Sequence, residues 1–225
     1  MRLLAYIGRF FHGVVKQRGV ETVLSYISNG RVYSRTDKGV NAVANPVDFD
    51  GDFVSDFVIV WGEALGRPRR KEYRYFLPHE VLRLFEAFLP LIPKEIDARA
   101  LISKPRKKKQ EVEIGIGKDF ISFSSSGFEQ YAIRRILGYF YRRYRGVMNE
   151  REILDAMRGF VRRYPPLAPP EPLVLWRTDV EVDDGNRYRI ERRIRSRALF
   201  WARKKRYLRR SKRLINRKPG PRFYF

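Results

Sequence analysis

Hydrophobic positions in this chain come in short extended runs, separated by a few amphipathic stretches. Leu3–Ile7 reads as a first strand. Val20, Val23, Leu24 and Ile27 recur at three- and four-residue spacing, which predicts a short helix closed by Asn29-Gly30. Arg31–Ser34 returns to an extended form, and after the turn Asp37-Lys38-Gly39 a second strand runs to Phe49. Phe57–Trp61 and Glu72–Leu77 are two more strands, with the basic loop Gly66-Arg67-Pro68-Arg69-Arg70-Lys71 between them. Val81, Leu82, Phe85, Phe88 and Leu89 share one face of a helix that Pro90 and Pro93 stop. Past the basic linker Lys104–Lys109, Glu111–Gly115 and Phe120–Phe123 form the arms of a hairpin that turns at Gly117-Lys118-Asp119.

Phe128–Tyr144 carries the strongest helical pattern, with Ile133, Ile136, Leu137, Phe140 and Tyr144 in one stripe. Asn149 with Glu152 three residues on has the form of a capping box for a helix reaching about Arg162. Pro165–Pro172 is a proline-rich break, and Leu173–Trp176 and Val180–Val182 are late strands. Ile190, Ile194, Ala198 and Trp201 fall on one face, which predicts a further helix rather than a floppy tail. This alternation of short strands and helices predicts an α+β fold with a largely antiparallel sheet.

Composition narrows the picture. Of 225 residues, 44% are hydrophobic and 14% aromatic, enough for a real core and too many for a disordered basic tail. Lys and Arg number 48 against 25 Asp and Glu, a net charge of +23 that points to a nucleic-acid partner. The charge is uneven: residues 187–225 hold 17 Lys and Arg and a single acid, Glu191, so +16 of the total sits there. The absence of cysteine excludes a disulfide scaffold, a thiolate zinc site and a cysteine nucleophile. Two histidines, His12 and His79, argue against a histidine metal cluster. Met1–Tyr6 turns polar too soon for a secretory signal. No run approaches the roughly 18 apolar residues of a membrane span. The expectation is a cytoplasmic protein with no membrane partner.

Familiar enzyme templates fail. There is no phosphate-cradling loop ending in Gly-Lys-Ser/Thr, and Gly115-Ile116-Gly117 lacks a third glycine and a following helix. Neither histidine lies near a serine in a nucleophile motif. Asp179, Glu181 and Asp183 alternate along a strand, which fits a solvated face better than a cation site. By spacing alone Asp37-x-Gly39 is a polar turn. As a whole, however, Ser34-Arg35-Thr36-Asp37-Lys38-Gly39-Val40-Asn41-Ala42 resembles the signature of the TruA-type tRNA pseudouridine synthases, Gly-Arg-Thr-Asp-x-Gly-Val-His-Ala. Other segments follow in that family's order. Tyr6–Gly13 is similar to its first-strand motif. Arg70–Tyr75 resembles its Arg-x-Tyr-x-Tyr strand. Phe128 through Ile133-Arg134-Arg135-Ile136-Leu137-Gly138 resembles its Phe-x(4)-Val-Arg-x-Ile-Val-Gly helix. Ala168–Leu175 resembles its Ala-Pro…Gly-Leu-x-Leu end. The likeness spans roughly residues 1–182.

The resemblance implies the pseudouridine synthase fold: an extended, mostly antiparallel sheet flanked by helices, with two similar halves around a central cleft. The halves would be residues 1–77, with the catalytic motif, and 78–183, followed by a basic extension over 184–225. It also implies the chemistry, which is isomerisation of uridine to pseudouridine in the anticodon stem-loop of tRNA, at positions 38 to 40, without a cofactor or metal. The matching positions make Asp37 the nucleophile, Arg134 its ionic partner and Tyr73 the ring stacked on the base. They make Arg35 a residue that engages RNA and displaces the base. The physics agrees, since breaking and remaking a base–ribose bond needs no redox partner and a carboxylate suits the sugar C1′. Arg9, Lys38, Arg69 and Arg70 are candidate phosphate contacts, as are Lys16, Arg18, Arg142, Arg143 and Arg145.

The chain departs from the pattern in places. The motif glycine is Ser34, the motif histidine is Asn41, and the first-strand aspartate is Ile7. It is also compressed between Phe49 and Lys71 and again after Ala100, so the oligomeric state, a homodimer included, stays open. Two other readings stay open as well: a non-catalytic RNA-binding protein on the same fold, and a synthase with another RNA target.

Overall fold

The computed structural model describes residues 2–7, 31–32, 34, 36–37, 39–48, 58–63, 68–160, 164–179 and 187–204. The helix expected over residues 20–27, the loop at residues 9–12 and the strand at Val180–Val182 lie outside them. Ten strands are described: β1 (Arg2–Ile7), β2 (Arg31–Val32), β3 (Asn41–Asp48), β4 (Val58–Glu63), β5 (Lys71–Phe76), β6 (Glu95–Asp97), β7 (Lys109–Glu111), β8 (Glu113–Ile116), β9 (Phe120–Ser125) and β10 (Leu173–Thr178). The described helices are α1 (His79–Glu86), α2 (Ala132–Tyr144), α3 (Glu150–Met157) and α4 (Arg187–Lys204).

One sheet organises the molecule. Its strand order is β4-β1-β3-β10-β5-β9-β8, with β2 beside β3. All pairs are antiparallel except β3 with β10, where Asn41 lies opposite Val174 and Ala42 opposite Leu175. The expected α+β, mostly antiparallel architecture is therefore present. The last strand of the sheet in sequence is a central one in space.

That placement explains why Leu173-Val174-Leu175-Trp176 is apolar without alternation, for both faces of β10 are covered. Leu173 and Leu175 join Tyr73, Tyr75, Ile121 and Phe123 on one face, beneath α1 and α2. Val174 and Trp176 join Val43 and Phe76 on the other, beneath Ile194 and Ala198 of α4. The α4 helix forms as its spacing predicts; the side chains of Ile190 and Trp201 lie outside the described set.

The clearest differences from expectation are four boundaries. The helix carrying Val81, Leu82 and Phe85 ends at Glu86 rather than Leu89, and Leu89–Leu91 form a separate 3-10 turn that includes Pro90. The first hairpin arm begins at Glu113, because Glu111 belongs to β7 and pairs with β6 in a separate two-stranded sheet. Gln110 turns the chain there. It is buried, and its amide donates to Ser125 Oγ and Gly127 O while accepting the Glu129 N–H. The helix read as starting at Phe128 starts at Ala132, after Tyr131 in left-handed backbone at φ 63. The capping box at Asn149 and Glu152 is formed as expected, but α3 stops at Met157 rather than near Arg162. Gly159, at φ +86, ends it: Phe160 N–H donates to Asp155 O and Gly159 N–H to Ala156 O, a Schellman pair.

Candidate active site

Asp37 sits on a tight turn at the entrance to β3. The Val40 N–H closes that turn onto the Asp37 carbonyl at 3.0 Å, and Gly39 takes the left-handed φ of +82 that its third position requires. The approach to the turn is pinned from β3. Buried Asn45 accepts the Ser34 N–H at 3.2 Å and donates to the Ser34 carbonyl at 2.9 Å. Asn41, standing where the resembled motif has histidine, is fully buried and donates to the Glu171 carbonyl at 3.5 Å. The substitution keeps a side chain that ties the motif to the segment before β10.

Arg134 reaches Asp37 from the first turn of α2. Its Nη1 lies 3.3 Å from Asp37 Oδ2, and the two side chains are 12% and 17% exposed, so the pair is largely shielded from water. Arg134 is itself held. Its Nε donates to the Ala168 carbonyl at 2.6 Å, and the Ala168 N–H returns a bond to the Arg134 carbonyl at 3.1 Å. The Pro165–Pro172 segment thus lies as a strap along α2. It comes this close because residue 138 is glycine: a Cβ there would stand 2.2 Å from the Pro166 carbonyl oxygen.

Tyr73 points from β5 into the same side of the sheet, buried, with its ring edge-on to Phe128 at 5.4 Å. Burial drives its phenol far above the ordinary range and the nearby Asp37 carboxylate adds to the shift, so Tyr73 stays neutral. Burial likewise raises the Asp37 carboxyl above its usual value; the charge and hydrogen bond of Arg134 pull it part of the way back. The result is a carboxylate with one oxygen engaged by a cation, beside a neutral aromatic ring. Three residues distant in sequence, Asp37, Tyr73 and Arg134, come together here.

The remaining candidates divide. Arg9, Arg35 and Lys38 lie outside the described residues. Arg69 and Arg70 are exposed ahead of β5, away from the buried pair. The Arg69 N–H donates to the Asp179 carboxylate, and the Arg70 guanidinium pairs with Glu113. Asp179 thus acts as a backbone anchor. Arg142 bonds the Tyr164 carbonyl and Arg143 pairs with Glu150, so both serve the fold.

Sequence reasoning missed the neighbours. Phe128 braces Tyr73, and Tyr131 places its ring 5.7 Å from the Arg134 guanidinium. Buried Glu129 accepts the N–H groups of Arg106 and Lys107, fixing the basic linker beside this segment. An acid set between two aromatics just before a helix was the available signal. Among the described residues, Ser34 Oγ, Thr36 Oγ1 and Asn41 Oδ1 are buried without a hydrogen-bond partner, all within four residues of Asp37. No group of three or more potential metal-binding side chains occurs among the described residues, and no described helix is long and apolar enough to cross a membrane.

No family model matches the chain. Individual relatives do. The chain is 30% identical over 230 aligned residues to tRNA pseudouridine synthase A of Thermococcus onnurineus (strain NA1), covering 79% of this chain and 83% of the relative. It is 28% identical over 209 residues to tRNA pseudouridine synthase A of Pyrobaculum islandicum, covering 80% and 82%. The aspartate of the signature loop meets an arginine from α2 beside a buried tyrosine, and relatives match over most of their length: this chain belongs to the tRNA pseudouridine synthase A family.

Proposed function

We propose that the protein isomerises uridine to pseudouridine in tRNA, in the anticodon stem-loop at positions 38 to 40. The observation that carries this reading is the shielded Asp37–Arg134 pair beside Tyr73. Asp37 is the nucleophile. Its carboxylate bonds the ribose C1′ as the C1′–N1 bond breaks and the uracil leaves with that electron pair. The uracil turns, C5 attacks C1′ and the carboxylate departs; C5 loses a proton and N1 gains one. No atom or electron is added overall.

Each residue has a physical task in this scheme. Arg134 keeps Asp37 ionised against the desolvation that favours its neutral form. Tyr73 offers an apolar ring to a base that has left its stack, and its raised phenol pKa keeps a second negative charge out of the site. Arg35 and Lys38 flank Asp37 in sequence and are assigned to the RNA strand, with Arg9, Arg69 and Arg70 as outer phosphate contacts. The division into halves at about residue 77 belongs to the same reading; in the sheet the strands of the two halves interleave, with β10 seated between β3 and β5.

The test is pseudouridine mapping on unmodified tRNA transcripts incubated with purified protein and no cofactor, beside Asp37→Ala. Product at positions 38 to 40 with wild type alone supports enzyme, target and nucleophile together. Product at other sites keeps the chemistry and moves the target. Tight tRNA binding by both proteins with no product on any RNA makes the protein a non-catalytic binder.

A further inference from the structure

The α4 helix carries more charge than its position in the fold requires. Its 18 residues include eight Arg and Lys and one acid, Glu191. Its length is about 27 Å at 1.5 Å per residue. Among the described side chains a stripe holds it to the fold: Ile194, Ala198 and Ala202 are buried, at spacings of four, with Leu199 packed beside them. The side away from that stripe is exposed, and presents Arg192, Arg193, Ser196, Phe200 and Arg203. Arg195, also exposed, is anchored to Asp119 at 2.8 Å. Arg192 and Arg193 stand side by side on this exposed face, and a polyanion laid along the helix neutralises both.

We infer that the outer face of α4 is a second RNA-contact surface, binding the phosphodiester backbone of the substrate RNA outside the reacting loop. The surface lies across the sheet from α2, since α4 covers Val174 and Trp176 while Arg134 projects from the helix over Leu173 and Leu175. An RNA that fills both must wrap past the sheet, so the contact is to a part of the molecule remote from the reacting uridine. A lipid surface fits this face poorly. An interfacial helix needs an apolar side to insert, and the apolar side of α4 is already spent on Val43, Phe76, Val174 and Trp176. Arginines without base-edge geometry suit phosphate, which positions RNA rather than reading it.

The inference rests on tRNA being the substrate, and the experiment separates the two claims. The full chain and its Arg192→Gln/Arg193→Gln variant are titrated with an unmodified tRNA transcript across a salt series, with product formation followed in parallel. Loss of two phosphate contacts flattens the plot of log affinity against log salt by about 1.4 and weakens binding about fifteen-fold at 0.15 M salt. KM rises correspondingly while kcat holds. The charge-keeping Arg192→Lys/Arg193→Lys variant retains the wild-type slope. Unchanged slope and affinity in the Gln variant overturn the inference, as does an equal loss in the Lys variant, which makes the defect one of packing. Lost affinity for phosphatidylglycerol vesicles with tRNA binding intact assigns the face to a membrane and also overturns it. If wild type makes no product yet the slope responds as described, the surface stands and the synthase reading fails. If product forms and the slope does not move, the reverse holds.

Discussion

At the scale of single residues, the site is a contest between desolvation and one cation. In the proposed scheme Asp37 acts ionised, and burial raises its pKa. The acid limb of kcat/KM is therefore expected above the ordinary aspartate value of about 3.9. Arg134→Gln removes the group that opposes burial, so the limb moves to higher pH as kcat falls; a pH–rate profile on a tRNA transcript checks this. The stability consequence has the opposite sense. A carboxyl whose folded pKa is raised favours the folded state below its unfolded pKa, and loses that contribution as pH rises through the folded value. At neutral pH the ionised Asp37 thus weighs against folding. Asp37→Asn is expected to be inactive yet to melt no lower than wild type at pH 7, with any gap closing as pH falls; thermal melts across pH 4 to 8 read this directly. Tyr73→Leu loses a base-stacking surface worth about 1–3 kcal/mol, roughly 5- to 150-fold in kcat/KM. The three central residues were legible because side-chain chemistry and motif spacing both mark them. Ala168 was not. Its contribution is a backbone carbonyl 2.6 Å from Arg134 Nε, and backbone acceptors leave no trace in residue type.

Elements place these residues, and their boundaries follow local chemistry of uneven visibility. The capping box of α3 could be read from Asn149 and Glu152 because a short polar side chain three residues before an acid satisfies two end groups at once. Asn149→Ala is expected to cost about 1 kcal/mol by chemical denaturation with kcat unchanged. The end of α3 was misplaced because the apolar periodicity continues past it, while the stop is a single glycine in left-handed backbone. The first hairpin arm was misplaced for a different reason: Gln110 decides it through contacts with residues 15 to 19 positions away. The strap tests how an element tunes chemistry. Gly138→Ala pushes a methyl group into the Pro166 carbonyl. It should cost about 1–3 kcal/mol as overpacking and also draw Ala168 off Arg134. A folded Gly138→Ala protein whose acid limb rises as in Arg134→Gln identifies the strap as a positioning element; a lower melting temperature with an unmoved limb makes it structural only.

For the whole molecule, the two faces of the sheet carry different duties. One holds the buried aromatic core and the aspartate–arginine pair, the other a helix whose exposed side is cationic. The fold class was legible because short alternating strands with few long helices leave little else. The arrangement of strands was not, since a run such as Leu173–Trp176 declares itself buried without naming its neighbours.

The central seat of β10 has a consequence for how the chain reaches its native form. Until residues 173–178 arrive, β3 and β5 have no bond to each other, and each presents an open edge of unpaired amides and carbonyls. Before that strand is made, β4-β1-β3 and β5-β9-β8 have no strand to join them. The join between Asn41 and Val174 spans more than half the polypeptide, a contact that forms slowly because so long a loop must close first. Asp37 leads into β3, and the segment that leads into β10 holds Arg134 through Ala168, so the strand that fills the seam also ties the two ends of the ion pair to one sheet.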